Sequence, residues 1–196
     1  MSALVDEEAC WGCGLCADLC PHEAVRMEDR RPRVSAEKCK SCGLCVSSCP
    51  SYAMDLMGCR RSMISRAIWR ASVSPRPRLL VFACDGCGRE AMEASVRKAG
   101  LRNVRFVRVP CAARVDPVQV LEALASGIDK VVVVFCEPGS CGYEVLEHVE
   151  VRLTLILACL RELGLGDSFL TIRSSSSKAE EAVSAIAELA RGRERH

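Results

Sequence analysis

The sequence predicts two unlike domains: a small α+β module made of two repeated halves, and a three-layer α/β domain with a four-stranded parallel sheet. Eight cysteines between positions 10 and 49 form one spacing pattern twice, and every element of the pattern is displaced by 29 residues. From Leu79 onward, short apolar runs alternate with amphipathic segments, as in successive strand–helix units. We therefore expect a first module at residues 1–57, a basic linker at 58–78 and a second domain at 79–196.

The repeated pattern has the form C-x2-C-x2-C-x3-C-P. It comprises Cys10, Cys13, Cys16, Cys20 and Pro21, then Cys39, Cys42, Cys45, Cys49 and Pro50. Such a run is typical of bacterial [4Fe–4S] sites, in which the fourth cysteine binds the cluster of the other repeat. Three closely spaced thiolates can wrap one cubane, whereas the fourth points away and the proline after it redirects the chain. We assign one cluster to Cys10, Cys13, Cys16 and Cys49, and the other to Cys39, Cys42, Cys45 and Cys20.

Zinc and disulfide bonds are the alternatives for these eight cysteines. Structural zinc sites usually pair two short knuckles across a longer loop, and this sequence strings four cysteines too tightly for that arrangement. Disulfides belong to a secreted context, which nothing in the sequence indicates. The stretch of about residues 2–57 resembles the two-cluster bacterial ferredoxins, and this resemblance implies a ferredoxin-like fold and low-potential one-electron transfer.

Within the first module, Ala24–Met27 and Ala53–Leu56 are strand candidates at equivalent places in the two repeats. We expect residues 30–33 to form the surface turn between the halves. Residues 58–78 contain six arginines and no acidic residue, with a weak helical stripe that ends at Ser74-Pro75-Arg76-Pro77. This segment is either a solvated connector or a docking surface for an acidic partner. Cys59 lies outside any motif and is expected to be a free thiol.

The second domain is expected to contain four strand–helix units. The strand candidates are Leu79–Ala83, Val104–Val109, Val131–Phe135 and Phe169–Ile172. The helix candidates are Ala91–Ala99, a segment after the N-cap Asp116 that ends at Gly127, a long helix from Leu146 to Leu163, and Ala179–Ala190. Val131–Phe135 is a continuous apolar run of the kind that is buried on both faces of a sheet. This order predicts a parallel sheet, and a flavodoxin-like strand order would place the first strand between the second and the third.

Five further cysteines follow the first three of these strands: Cys84, Cys87, Cys111, Cys136 and Cys141. They are therefore expected at the carboxyl ends of the strands, where open parallel sheets bind ligands near a switch in strand order. Four thiolates are enough for a [2Fe–2S] cluster or for tetrahedral zinc. The residues alone leave four interpretations open: an iron–sulfur centre, zinc, a redox-active dithiol, or small buried cysteines of the core.

Residues 79–192 resemble the delta, iron–sulfur subunit of methyl-viologen-reducing hydrogenases. The resemblance lies in Phe82-Ala83-Cys84 with Cys87, in the segment from Val109 to Pro117, and in the segment from Cys136 to Tyr143. It implies a [2Fe–2S] cluster held by four of the five cysteines and an electron relay without catalytic residues. The implied partners are a flavoprotein of the heterodisulfide-reductase type and a hydrogenase or formate dehydrogenase.

Composition and missing motifs argue against several other classes of function. The net charge is +2 and aromatic residues make up 4% of the chain, so we expect no nucleic-acid partner. The longest apolar runs are too short to span a bilayer, no signal peptide is visible, and we expect a cytoplasmic protein. No dinucleotide or phosphate-loop motif supports a nucleotide-dependent enzyme.

Two single residues carry expectations of their own. Arg114 either acts on a partner or a cluster through its charge or pairs with Asp116, and Cys159 is expected in the core.

Overall fold

The computed structural model describes residues 2–76 and 78–191. Met1, Pro77 and residues 192–196 lie outside it, so the last residue of the helix stop expected at residues 74–77 is not described. The first module contains two antiparallel pairs of short strands. Strand β1 pairs with β4, and β2 pairs with β3. Their bounds are Ala3–Val5 for β1, Val25–Glu28 for β2, Arg31–Val34 for β3 and Met54–Leu56 for β4.

The two halves of the module are related by the same offset as the cysteines. Strand β2 moves onto β4 and β1 onto β3 when 29 residues are added, which confirms both strand candidates. The expected turn at residues 30–33 was wrong in part. Only Asp29 and Arg30 turn, both at positive φ, whereas residues 31–33 continue into β3 because their backbone pairs with β2.

Each cysteine loop closes on a short helix, α1 at Leu15–Asp18 and α2 at Leu44–Ser47. Gly14 and Gly43 precede these helices in the left-handed conformation, each with φ of 84°. A residue with a side chain is strained in this conformation, so the glycines allow each chain to turn from its loop into its helix.

The basic segment forms a helix, α3, at Arg61–Ser72. Ile64, Ile68 and Ala71 lie on one face of this helix and are almost fully buried. They belong to the same buried cluster as residues of both the first module and the second domain. The segment therefore packs into this shared core through one face, while Arg66 and Arg70 stay exposed.

The second domain has the expected parallel sheet, with strand order β6-β5-β7-β8. The strands are β5 at Leu79–Cys84, β6 at Val104–Val109, β7 at Lys130–Cys136 and β8 at Phe169–Ser174. The first strand of the domain lies between the second and the third, as in a flavodoxin-like order. The carboxyl ends of β5, β6 and β7 consequently meet at one edge.

Four helices cover the sheet: α4 at Arg89–Lys98, α5 at Pro117–Ala125, α6 at Leu146–Glu162 and α7 at Ala179–Ala190. The Asp116 side chain caps α5, where it accepts a hydrogen bond of 2.9 Å from the Val118 amide. Along α6, Val149, Leu153 and Ile156 form the buried stripe.

Two further findings concern the surface of the described chain. The expectation for Cys159 was wrong, because its side chain points away from the buried stripe of α6 and is exposed. None of the helices within residues 2–76 and 78–191 combines the length and apolar character needed to cross a bilayer.

Candidate metal centres

The four cysteines assigned to the first cluster line a single cavity of the first module. This first thiol cavity is bordered by Cys10, Cys13, Cys16 and Cys49, together with Trp11 and several apolar residues. Three of the cysteines come from the first repeat and one comes from the second. The fold thus brings together the three cysteines of one repeat and the one cysteine of the other that the spacing assigns to the same site.

The other four cysteines line a matching cavity. This second thiol cavity is bordered by Cys20, Cys39, Cys42 and Cys45, and also by His22 and Lys40. The His22 Nε2 atom is buried and has no hydrogen-bond partner within the described part of the chain. Sequence reasoning had no motif by which to connect His22 with this site; its place directly after Cys20-Pro21 was the only available signal.

Three thiols of the two cavities, those of Cys16, Cys42 and Cys45, have raised pKa values. Burial, followed by the charge of Cys13, raises the pKa of Cys16 to about 11. Burial and the neighbouring Cys42, Cys39 and Cys20 raise the pKa of Cys45 to about 12. Thiolates packed this closely repel one another unless cationic metal lies between them. The donor set and its burial therefore fit the [4Fe–4S] clusters expected from the sequence.

The remaining five expected ligands meet at the carboxyl edge of the parallel sheet. We call Cys84, Cys87, Cys111, Cys136 and Cys141 the third thiol group. The Sγ atoms of Cys84 and Cys136 are 3.2 Å apart, and the Cys87 thiol donates to the Cys84 carbonyl at 2.9 Å. Cys141 is half-buried, and the other four are buried.

The pKa values show the same mutual proximity. The hydrogen bond with Cys136 acts to lower the pKa of Cys84, but its contact with Cys87 and burial together raise this pKa to about 12. The contact with Cys84 and burial raise the pKa of Cys136, whereas Cys141 lowers it. No three His, Cys, Asp or Glu side chains in the described ranges stand close enough together to hold a single metal ion. What fits a metal centre here is the donor set, which consists of thiols only.

The segments that carry the second thiol cavity and the third thiol group are in contact. Burial, and then the charges of Cys141, Cys42 and Cys84, raise the pKa of Cys111, so that a cysteine of the first module acts on one of the second domain. Close by, the Ser47 hydroxyl donates a hydrogen bond of 2.6 Å to the Ala113 carbonyl. The fold thus joins the two cysteine-rich regions through one buried contact surface.

Arg114 lies in this contact surface. Its side chain is fully buried, and it donates to the Cys59 carbonyl at 3.3 Å and to the Gln119 side chain at 3.2 Å. Its burial argues against docking of a partner. The alternative, an ion pair with Asp116, is not formed in the described part of the chain: Asp116 forms its ion pair with Arg61, and only its charge acts on Arg114. Arg61 comes from α3, a segment whose packing the sequence did not reveal.

Comparison with known proteins gives two matches along the chain. Residues 3–56 match the 4Fe-4S dicluster domain. Residues 79–192 match the family described as methyl-viologen-reducing hydrogenase, delta subunit. The chain belongs to this delta subunit family. Its first module is a 4Fe-4S dicluster domain, which confirms the ferredoxin-type module and the [4Fe–4S] cofactor at the level of the domain.

Three relatives show how the two parts occur elsewhere. The iron-sulfur subunit of the F420-non-reducing hydrogenase of Archaeoglobus profundus is 37% identical over 45% of this chain and 67% of its own length. The corresponding vhu iron-sulfur subunit of Methanocaldococcus jannaschii is 32% identical over 58% of this chain and 87% of its own. One subunit of the ferredoxin:CoB-CoM heterodisulfide reductase of Methanosarcina mazei is 32% identical over 96% of this chain, which spans only 24% of that relative.

Proposed function

We propose that this delta subunit family member is an electron-transfer subunit with two [4Fe–4S] clusters and one [2Fe–2S] cluster. Cys10, Cys13, Cys16 and Cys49 would hold one [4Fe–4S] cluster, and Cys20, Cys39, Cys42 and Cys45 the other. Four of the five cysteines of the third thiol group would hold the [2Fe–2S] cluster. Bound there, the clusters supply reversible one-electron transfer.

The single observation that carries this proposal is the contact between the second thiol cavity and the third thiol group. Cys42 acts on Cys111, and the neighbouring segments are joined by the hydrogen bond from Ser47 to Ala113. A chain that only stored metal would not require its two cysteine-rich regions to be held in one core. Fixed proximity is what an electron relay needs, since the protein then sets the distance and orientation of its carriers.

We infer the partners from the relatives. Iron-sulfur subunits named for F420-non-reducing hydrogenase match about half of the chain, and one heterodisulfide reductase subunit matches almost the whole chain. The proposed partners are a hydrogenase- or formate-dehydrogenase-type donor and a flavoprotein of the heterodisulfide-reductase type. The chain itself would make no bonds, and it would act in the cytoplasm as part of a larger oxidoreductase complex.

The test is an anaerobic redox titration of the full-length protein, followed by electron paramagnetic resonance. The proposal predicts two [4Fe–4S] signals and a third signal of a [2Fe–2S] centre. The Cys84→Ser, Cys136→Ser double variant leaves only three of the five cysteines and should alter or remove only the third signal, whereas Cys13→Ser should affect only a [4Fe–4S] signal. Loss of all three signals in a double variant that remains folded would refute the division into separate sites.

A second candidate function is reduction of a disulfide substrate with electrons from the first module. The 3.2 Å separation of the Cys84 and Cys136 sulfurs favours it, because two thiols at this distance can form a disulfide. Reduction of one substrate disulfide would consume two electrons and two protons and release two thiols. Thiol release by dithionite-reduced protein, lost in Cys84→Ser, would support this candidate; no release above the dithionite control would exclude it.

A third possibility from the residues is a zinc-bearing docking module. Zinc at one equivalent per chain, without a third iron–sulfur signal, would favour it over both redox functions.

A further inference from the structure

Three arginines from different elements converge on residues 43–48, a stretch that begins in the wall of the second thiol cavity and continues as α2 toward Cys49; we call this stretch the loop. Arg61 begins α3, Arg114 follows β6, and Arg152 lies in α6. Arg114 is fully buried, the Arg61 side chain is 19% exposed, and Arg152 is half-buried. Burying several cations beside one loop is costly unless anionic charge compensates them.

Two of these arginines hold the peptide that links the two cavities. Arg61 Nη2 donates to the Val46 carbonyl at 2.5 Å. Arg152 Nη1 donates to the Ser47 carbonyl at 3.0 Å, and its Nη2 donates to the Ser48 hydroxyl. These three acceptors are consecutive in the chain between Cys45 and Cys49, one ligand candidate of each cavity.

The third arginine covers the other side of the same loop. A Cβ atom placed on Gly43 would lie 2.7 Å from Arg114 Cδ, so the Arg114 side chain is packed directly against the residue after Cys42. Because Gly43 lines the second thiol cavity, Arg114 packs against the wall of that cavity.

The described residues supply only part of the negative charge that these cations need. Asp116 pairs with Arg61, and the charges of Asp55 and Asp116 act on Arg114. One buried nitrogen of each arginine, namely Arg61 Nε, Arg114 Nη2 and Arg152 Nε, has no hydrogen-bond partner within residues 2–76 and 78–191. An anionic group beside the loop would complete the charge balance, and a cluster with four thiolate ligands is such a group.

The first thiol cavity has a different surrounding. At Gly14, the equivalent of Gly43, the nearest atom to an added Cβ is a carboxylate oxygen of the exposed Asp18, at 3.9 Å. Two cations lie beside this cavity: Arg31, which donates to the Cys10 carbonyl at 2.9 Å and is half-buried, and the exposed Arg30, whose Cβ atom would lie 3.1 Å from a Cβ placed on Gly12. The exposed Lys40 adds a further cation to the second cavity. The fully buried Arg114 thus lies beside the second cavity, whereas the two arginines described beside the first cavity are half-buried or exposed.

We propose that Arg61, Arg114 and Arg152 form a cationic clamp that makes the second thiol cavity the site of higher reduction potential within the first module. The inference rests on the proposed function, because it requires a [4Fe–4S] cluster in each cavity. Reduction adds one electron from a low-potential donor and thus one negative charge. Buried cations beside the loop stabilise that charge, and nearby charge and hydrogen bonds are among the factors that set cluster potentials.

The clamp would also give the electron a preferred position. The segment that carries the second thiol cavity adjoins the segment after Cys111 through the hydrogen bond from the Ser47 hydroxyl to the Ala113 carbonyl. An electron that has entered the first module would therefore reside next to the second domain, and the same arginines that set this preference also bind the second domain to the loop. The three are positioning residues, since none of them contacts the sulfurs in the described hydrogen bonds.

The test compares Arg114→Gln, Arg114→Lys and Arg152→Gln in the full-length, anaerobically purified protein. Midpoint potentials of the two [4Fe–4S] signals are measured by redox titration with dithionite and electron paramagnetic resonance. Arg114→Gln and Arg152→Gln should lower the higher potential by at least a tenfold change in its redox equilibrium, which is 59 mV for one electron. Arg114→Lys keeps the charge and should recover most of this shift.

Arg161→Gln is the matched control, because it removes an exposed cation from the same helix as Arg152 and should leave both potentials unchanged. Equal shifts of both potentials, or no shift in Arg152→Gln with full iron content, would overturn the inference. If Arg114→Gln does not fold, Arg152→Gln decides. Wild-type protein without [4Fe–4S] signals would refute the proposed function itself and is thereby distinguishable from failure of the clamp.

Discussion

A pair of glycine substitutions tests the contact between the two domains against an internal control. Gly14 and Gly43 occupy equivalent positions in the two repeats and have the same φ of 84°. An alanine at either position incurs the left-handed strain, about 1–2 kcal/mol. Only at Gly43 does the new methyl group collide with Arg114, at 2.7 Å from Cδ and 2.8 Å from Cβ.

The collision should be strongly destabilising because Arg114 cannot move aside. Its side chain is fully buried and donates to Cys59 and Gln119. Overpacking of this kind costs about 1–3 kcal/mol. We therefore expect Gly43→Ala to destabilise the protein by about 2–5 kcal/mol, the sum of strain and overpacking, and Gly14→Ala by about 1–2 kcal/mol.

The assay is anaerobic urea unfolding of both full-length variants, followed by circular dichroism and by visible absorbance of the clusters. Gly43→Ala should unfold at a clearly lower urea concentration than Gly14→Ala, and it should lose the absorbance of the third centre before that of the first module. Equal destabilisation of the two variants would show that the packing of Arg114 on Gly43 does not exist in solution.

Three further predictions follow from the same contacts. Asp116→Ala should cost about 1 kcal/mol for the lost helix cap and more for leaving Arg61 without its carboxylate, and a total loss below about 1 kcal/mol in urea unfolding would contradict the pairing. The exposed face of α3 is the candidate surface for docking an acidic partner. If it docks a heterodisulfide-reductase-type flavoprotein, the double variant Arg66→Glu, Arg70→Glu should weaken binding about tenfold at low salt. A double charge reversal in the last turn of α4 is the control, and an equal effect there would refute docking. The Cys84→Ser, Cys136→Ser double variant should keep about eight irons per chain in metal analysis, those of two [4Fe–4S] clusters, because the three remaining cysteines are too few for the third cluster; loss of one whole [4Fe–4S] equivalent would contradict the ligand sets.

Much of the fold was predictable because its signals are local. The alternation of apolar runs and amphipathic segments locates every strand of the parallel sheet, and Asp116 with Pro117 marks the start of α5 by a capping mechanism that acts within three residues. The turn between the halves was predicted too long at its C-terminal end. A run of charged residues predicts exposure, but it does not show that the turn ends at Arg30 and that strand pairing resumes after it.

The cysteine sites were predictable because ligand spacing is written in the sequence, and because parallel strands bring their carboxyl ends to one edge. The contacts between the domains were not. Arg61 and Arg152 are single cations in amphipathic helices, and their acceptors are backbone carbonyls, which no residue type reveals. Cys159 was wrongly expected in the core. The apolar residues of α6 show which face is buried, but they do not show whether a residue at the edge of that face is buried or exposed.

The most direct test of the central claim is anaerobic iron, sulfide and zinc analysis of the full-length protein, normalised to chain concentration. Two [4Fe–4S] clusters and one [2Fe–2S] cluster predict about ten irons and about ten sulfides, with no zinc. About eight irons with one zinc, or about eight irons alone, would contradict a relay that extends into the second domain. The electron path would then end in the first module.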